Sequence, residues 1–414
     1  MESIRVITNA RRSMQRLGYL KYLIFQAAKS STNNISNLGN ELLAKVTQSM
    51  SLPLNSNIAD YIQHTLTDPS HKEMRLAAKR ANQYAQLEMQ DYYLAYPSLP
   101  SRRGRLVNDD ANRYPLLAAD LNLLQRGSCT VQARGQILIQ FLSDDERRAF
   151  DPSFFPTHYL TFSPFMLTLQ QKLVLLFSII ESDGDLLKYL FGELIKGVST
   201  FALQEAGNRL PDIYRLLAKE GRVIARSGDD LLKIQRLLDI ADNIEAVKRN
   251  PSPGGKNARE HAITLRLESF VDLGLLSKSD PYSNQYMLNN NAITFFDRLL
   301  RAKNIDTFLK TSFFGAINSA LGINAVHCVG RKNILPVVQQ AYRNLKSPIG
   351  YASIAETCLL GGIYYMANFG SYFEIEEAID ELKSLQKERP DYIRFNVDQW
   401  GSLSFIKISE INDK

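Results

Sequence analysis

Asp272-Leu273-Gly274-Leu275-Leu276 is the stretch that decides the fold. It closes an apolar-periodic run from about Asn257, whose inner stripe is Ile263, Leu267, Phe270 and Val271. A glycine just past a helix stops it, because only glycine takes left-handed backbone without a Cβ clash. The polar run Ser277 to Asn284 follows, and Gln285 to Leu288 alternates polar and apolar like a strand. The order is helix, tight stop, hairpin loop, then a new helix from Ala292 to Leu309.

The same order occurs earlier, at Asp120-Leu121-Asn122-Leu123-Leu124. A helix from Asp110 to about Gln125 is expected there, with Gly127 behind it. Asn122 stands at the glycine position, and asparagine tolerates left-handed backbone better than most residues. Val131 then corresponds to Leu288, Gly135 to Ala292, Leu138 to Phe295, Ile139 to Phe296 and Leu142 to Leu299. The second copy carries five more residues between its anchors. Gln136 to Phe141 reads as a strand or the start of a helix.

Working outward, Leu169, Leu173, Leu176, Phe177 and Ile180 repeat at helical spacing, with Val174, Leu175 and Ile179 filling the other faces. That predicts a helix buried all round. Asp229 to Lys248 is amphipathic, and Asn250-Pro251-Ser252-Pro253-Gly254-Gly255 breaks the chain after it. Glu73 to Tyr93 reads as a long solvated helix. Ser312 to Lys346 reads as helix broken near Gly322 and Gly330. The last seventy or so residues repeat the logic of the hairpin units. An apolar helix, Ser353 to Ala367, precedes an acidic one, Phe373 to Leu385. A hairpin over 392–408 turns at Gln399-Trp400-Gly401.

Helix, Leu-x-Leu-Leu and hairpin resemble the second half of a winged helix-turn-helix domain, with Leu273-Gly274-Leu275-Leu276 the best match. The resemblance covers parts of three regions, about half the chain. It implies a mainly α fold with small β-hairpins (α+β), as tandem winged-helix-like units joined by helical segments. The expected divisions are 1–150, 157–310 and 311–414. Multi-winged-helix proteins of this size occur in bacterial defence and mobile-element operons.

In such domains the third helix lies in the major groove and the wing touches the backbone. Duplex DNA is therefore the partner the resemblance implies. For the second copy the outward face is expected to hold His261, Thr264, Leu265, Glu268 and Asp272, with Lys248, Arg249, Lys256 and Arg259 near phosphates. Around the first copy stand Arg102, Arg103, Arg105, Arg113, Arg126 and Arg134. A third basic patch is Arg5, Arg11, Arg12, Arg16 and Lys21. The C-terminal unit argues the other way. Glu374, Glu376, Glu377, Asp380 and Glu381 crowd its helix and would meet phosphate repulsion. That unit reads as a protein-protein module or cap, and a scaffold without nucleic-acid binding is the alternative function.

Composition frames these expectations. A hydrophobic fraction of 45% and a charged fraction of 22% suit a globular chain with real cores. Net charge of +6 permits a polyanion partner without requiring one. Cys129, Cys328 and Cys358 form no CxxC pair, so neither a disulfide framework nor structural zinc is expected, and a reducing, cytoplasmic setting fits. The stretch Pro164 to Ile180 is too short to span a bilayer. Pro253-Gly254-Gly255-Lys256-Asn257 fails as a phosphate loop, since Asn257 stands where a magnesium-binding Ser or Thr is needed. Glu181-Ser182-Asp183-Gly184-Asp185 lacks the rest of a calcium loop and reads as a helix-helix turn. His327-Cys328 reads as core or as a satisfied polar contact. No catalytic residue, metal or cofactor is assigned.

Overall fold

A computed structural model describes residues 4–8, 16–29, 34–50, 113–151, 165–195, 200–249, 255–278, 284–397 and 403–409. The expected helix at 73–93, Arg102, Arg103, Arg105 and the Trp400 turn lie outside them. The chain is mainly helical with small sheets, as expected. An extended segment at 4–8 leads to α1 (Gly18–Lys29) and α2 (Ile35–Met50), then α3 (Arg113–Asp120), α4 (Ala133–Gln140) and α5 (Asp144–Ala149). Next come α6 (Leu169–Leu194), β1 (Thr200–Ala202), α7 (Leu203–Ile224), α8 (Gly228–Arg249), α9 (Gly255–Asp272), β2 (Leu276–Ser277) and β3 (Gln285–Leu288). After them run α10 (Ala292–Arg301), α11 (Ile305–Thr311), α12 (Phe313–Ala320), β4 (Val326–His327) and α13 (Arg331–Leu345). The chain then forms β5 (Ala352–Ser353), α14 (Ile354–Phe369), β6 (Ser371–Tyr372), α15 (Ile375–Glu388), β7 (Ile393–Val397) and β8 (Leu403–Ile408).

Both Leu-x-Leu-Leu segments end a helix in the same way. Gly274 has φ +82° and Asn122 φ +57°, so each takes the left-handed conformation. In the second copy the N–H of Leu275 bonds to the Phe270 carbonyl at 2.9 Å and that of Gly274 to Val271 at 3.0 Å. In the first, Leu123 bonds to Ala118 at 2.9 Å and Asn122 to Ala119 at 3.2 Å. These paired bonds satisfy the last carbonyls of a helix in a Schellman motif. The first helix therefore stops at Asp120, sooner than Gly127 would have stopped it. Beyond each stop, Leu124 pairs with Val131 and Leu276 with Leu288, both antiparallel. Gln136 to Phe141 resolves as helix.

Two antiparallel sheets share one order. In β1-β3-β2 and in β5-β8-β7 the strand last in the chain lies between the other two. Each sheet opens on a short strand followed by helices, and closes on a hairpin after the final helix. A two-stranded parallel pairing, Val326 with Ser371 and His327 with Tyr372, has no counterpart in the sequence reading. The breaks at Gly322 (φ +60°) and Gly330 (φ +105°) fall where expected. No break in packing falls at 310, because α11 runs through it and its Phe308 ring meets Phe295 of α10 at 5.5 Å.

The centre of the molecule is α6. A capping box, Thr168 with Gln171, starts it, and Leu173 to Ile180 are all buried. Glu181 to Asp185 does not turn the chain. It continues α6 and serves as its ionic hub. Arg266 of α9 bonds to Asp183 at 2.6 and 2.9 Å, and the Ile7 N–H reaches the same carboxylate at 2.8 Å. Arg134 of α4 spans Glu181 at 2.5 Å and Glu356 of α14 at 2.6 Å. The Arg5 N–H bonds to Asp185 at 2.8 Å. Gly184 admits Ile305 so closely that an added Cβ would lie 2.8 Å from it.

The N-terminal segment is built into this core. Arg16 is fully buried, bonding to Asp272 and, at 3.2 Å, to Glu268. The Leu17 N–H bonds to the other Asp272 oxygen at 2.9 Å. Lys21 is fully buried too, against Glu146 and Gln171. Arg16 and Lys21 thus belong to no basic surface patch, since internal carboxylates meet their charges, and the partly buried Arg5 pairs with Asp306. Arg11 and Arg12 lie outside the described residues. Leaving a buried carboxylate without its cation costs roughly 3–5 kcal/mol. Arg16→Leu is expected to lower unfolding stability by about that amount in chemical denaturation, and a loss under about 1 kcal/mol would contradict the network.

Glu374 joins the α12 region to the C-terminal unit. It accepts the N–H groups of Phe314 and Gly315 at 3.0 and 2.8 Å and forms a capping box with Glu377 at the start of α15. Burial pushes its carboxyl up to about 7 against those two N–H bonds. Between its ordinary value of 4.5 and about 7, the folded state keeps a proton that the unfolded chain has lost. The stability from this group is full below 4.5 and lost as pH rises through about 7. Glu374→Gln is expected to flatten that part of the stability curve relative to the parent protein. Parallel curves for the two proteins would contradict it.

Candidate functional site

The cations expected to meet DNA do not gather on one described surface. Arg134 is the clear correction. Only 2% exposed, it lies between two carboxylates with its guanidinium 4.9 Å from the Phe177 ring centre. Arg126 is exposed at the turn between Leu124 and Val131, but pairs with Asp120. Arg113 opens α3 and is half-buried. Lys248 and Arg249 end α8, while Lys256 and Arg259 sit in the first turns of α9. The side chains of these four lie outside the described residues, as do Arg102, Arg103 and Arg105.

The outward face read onto α9 is also corrected. Every residue from Ala262 to Phe270 is buried, including Thr264, Leu265, Arg266 and Glu268, and so is Asp272. His261 lies outside the described side chains. Glu268 accepts Lys278 at 2.9 Å and the Tyr286 hydroxyl at 2.5 Å as well as Arg16. Asp272 is pushed up to about 6 by burial, with Arg16 and the Leu17 N–H opposing. From Ala262 to Phe270 the helix presents no face to a DNA groove. In the C-terminal unit α15 is amphipathic as read. Ala378, Leu382 and Leu385 face inward, while Glu376, Asp380 and Glu388 are exposed.

Beside the Gly274 turn an open cavity of about 600 Å³ is lined by Leu169, Lys172, Gly274, Asn289, Asn290, Asn291, Ala320, Leu321 and Ile323. The first turn of α6 supplies Leu169 and Lys172, and the segment leading into α10 supplies the three asparagines. Asn289 donates to the Gly274 carbonyl at 2.6 Å. Burial holds Lys172 below the usual lysine range, while the field of Asp272 favours its charge. Sequence reading missed this site. The one signal was the run of three asparagines beside the left-handed glycine.

His327 proves exposed. It bonds to Glu377 at 3.0 Å and stacks on Tyr372 with ring centres 4.9 Å apart. The three cysteines are free thiols, and burial pushes Cys358 up to about 12. Among the described residues no group of three or more His, Cys, Asp or Glu side chains could hold a metal ion, and no helix is long and apolar enough to cross a membrane.

Arg134 separates a structural from a nucleic-acid role. Arg134→Met should lower the thermal midpoint by about 5 °C or more, since it strands Glu181 and Glu356. It should leave any duplex-DNA affinity unchanged in a fluorescence-anisotropy titration. A folded variant with full thermal stability and weakened DNA binding would reverse the assignment. No protein-family profile, curated protein or solved structure matches this chain.

Proposed function

We propose that this chain is a non-enzymatic protein-binding adaptor assembled from winged-helix-like units, the third helix of the middle one serving as internal packing. What supports the unit assignment is the recurrence of one strand order in two sheets, each closed by a hairpin after a helix. Three unpaired thiols are in keeping with a cytoplasmic setting. The observation that carries the function is the enclosure of α9. From Ala262 to Phe270 it is buried, and Arg266, Glu268 and Asp272 are matched by internal partners, which favours packing over base reading for that part of the helix. The third helix of the C-terminal unit presents carboxylates, which repel phosphate.

The partner we propose is a basic amphipathic segment of another protein. Val326, Val329 and Phe369 are 63%, 55% and 62% exposed on the β4–β6 strip and its flanks. The His327–Glu377 bond ties that strip to α15 and its exposed Glu376 and Asp380. Apolar side chains on the strip, with Glu377 bonded to it and the exposed Glu376 on the same helix, complement a helix carrying leucines on one face and lysines on the other. The test uses a synthetic Leu/Lys amphipathic peptide in anisotropy titrations, with duplex DNA as competitor at about 50 mM salt. Binding that weakens at least tenfold with Phe369→Asp, and that duplex DNA does not displace, is the expected outcome. Tight duplex binding with a steep salt dependence would overturn it and restore the DNA-binding reading through Arg102, Arg103, Arg105, Arg113 and Arg126.

A further inference from the structure

We propose that the cavity beside Gly274 binds a small organic anion, whose acidic group sits on Lys172 and whose flat body lies over Leu169, Leu321 and Ile323. Charge is the first argument. Arg16, Lys278 and Lys172 surround two carboxylates, Glu268 and Asp272. Arg16 and the Leu17 N–H already occupy the Asp272 oxygens. Lys172 thus stands in the field of a carboxylate whose oxygens are already taken, and it lines the cavity.

The second argument is hydrogen-bonding capacity left unused. Neither the Lys172 ammonium nor the amides of Asn290 and Asn291 have a hydrogen-bond partner among the described residues. Asn291 occupies the N-cap of α10, where an asparagine normally accepts an N–H from the first turn, yet its side chain makes no such bond. It lines the cavity instead. Ammonium and two amides along one side, with aliphatic side chains beside them, suit a carboxylate or phosphate carried on a planar apolar body.

The third argument comes from the internal repeat. At the corresponding turn of the first copy stands Asn122, whose side chain bonds to Glu181 at 3.1 Å. At Gly274 there is no side chain, and an added Cβ would lie 3.6 Å from the Lys172 Nζ and 3.7 Å from Leu321. Gly274 is part of the cavity wall, and an asparagine there, as in the first copy, would add a side chain beside Lys172 and Leu321.

Gly274→Asn borrows the residue that the first copy already uses in left-handed backbone, so the turn is retained while a side chain is added to the cavity wall. Calorimetric titration of the full chain with adenosine 5′-monophosphate and with benzoate separates phosphate from carboxylate ligands. Adenosine is the uncharged control. Binding of either anion, at least tenfold weaker for Lys172→Met and for Gly274→Asn, with adenosine bound weakly or not at all, is the expected result. Thermal melts confirm that both variants are folded. No binding of either anion up to about 10 mM, or binding that both folded variants retain in full, overturns the proposal.

Discussion

Charge inside the buried stretch of α9 is the constraint on which the rest of this structure depends. Arg266, Glu268 and Asp272 lie within one stretch of α9, and all three are buried. An ion held away from water is tolerated only where a counter-ion and hydrogen bonds meet it. Those partners come from far along the chain: Asp183 from α6, and Arg16 and Ile7 from the N-terminal segment. The fold of the middle unit is thereby tied to residues well outside it. Through Arg134 the same hub on α6 reaches α14 in the C-terminal unit. The molecule holds together as ionic cross-links around one apolar helix, and the three expected divisions share one hydrophobic core.

Local physics was legible in the sequence. The Leu-x-Leu-Leu stops, the left-handed Asn122 and Gly274, the strand at Gln285 to Leu288 and the acidic α15 with its hairpin all follow from patterns within about twenty residues. Each depends on backbone sterics or on periodic burial, which neighbours in sequence determine. What sequence reading could not supply was the direction in which charges face. Arg16, Lys21 and Arg134 look like surface cations because an isolated cation belongs in water. Their partners stand at Asp272, Glu146, Glu181 and Glu356, and nothing in the sequence announces such distant pairings. The acidic run on α6 held the available hint: three carboxylates two residues apart, within an otherwise apolar helix.

The two copies of the repeat show how one turn serves different ends. Backbone geometry is conserved between Asn122 and Gly274 down to the individual hydrogen bonds. The side chain differs, and with it the surroundings. The first copy closes over Glu181 and Arg134, while the second leaves a hollow between α6, α10 and α12. A left-handed position accepts few residue types, so an exchange between these two preserves the fold while changing what the turn encloses.

Arg16 and Asp272 are 256 residues apart. A ribosome adding about 5–20 residues per second needs roughly ten to fifty seconds to cover that distance. Throughout that interval the arginine has left the exit tunnel while its carboxylate has not yet been made, and α1, apolar on nearly every side, waits beside it. The middle of this protein cannot close as it emerges. Until Asp272 is made, the apolar surface of α1 is without its partners from α9, an exposure that a domain-by-domain reading of the fold would not reveal.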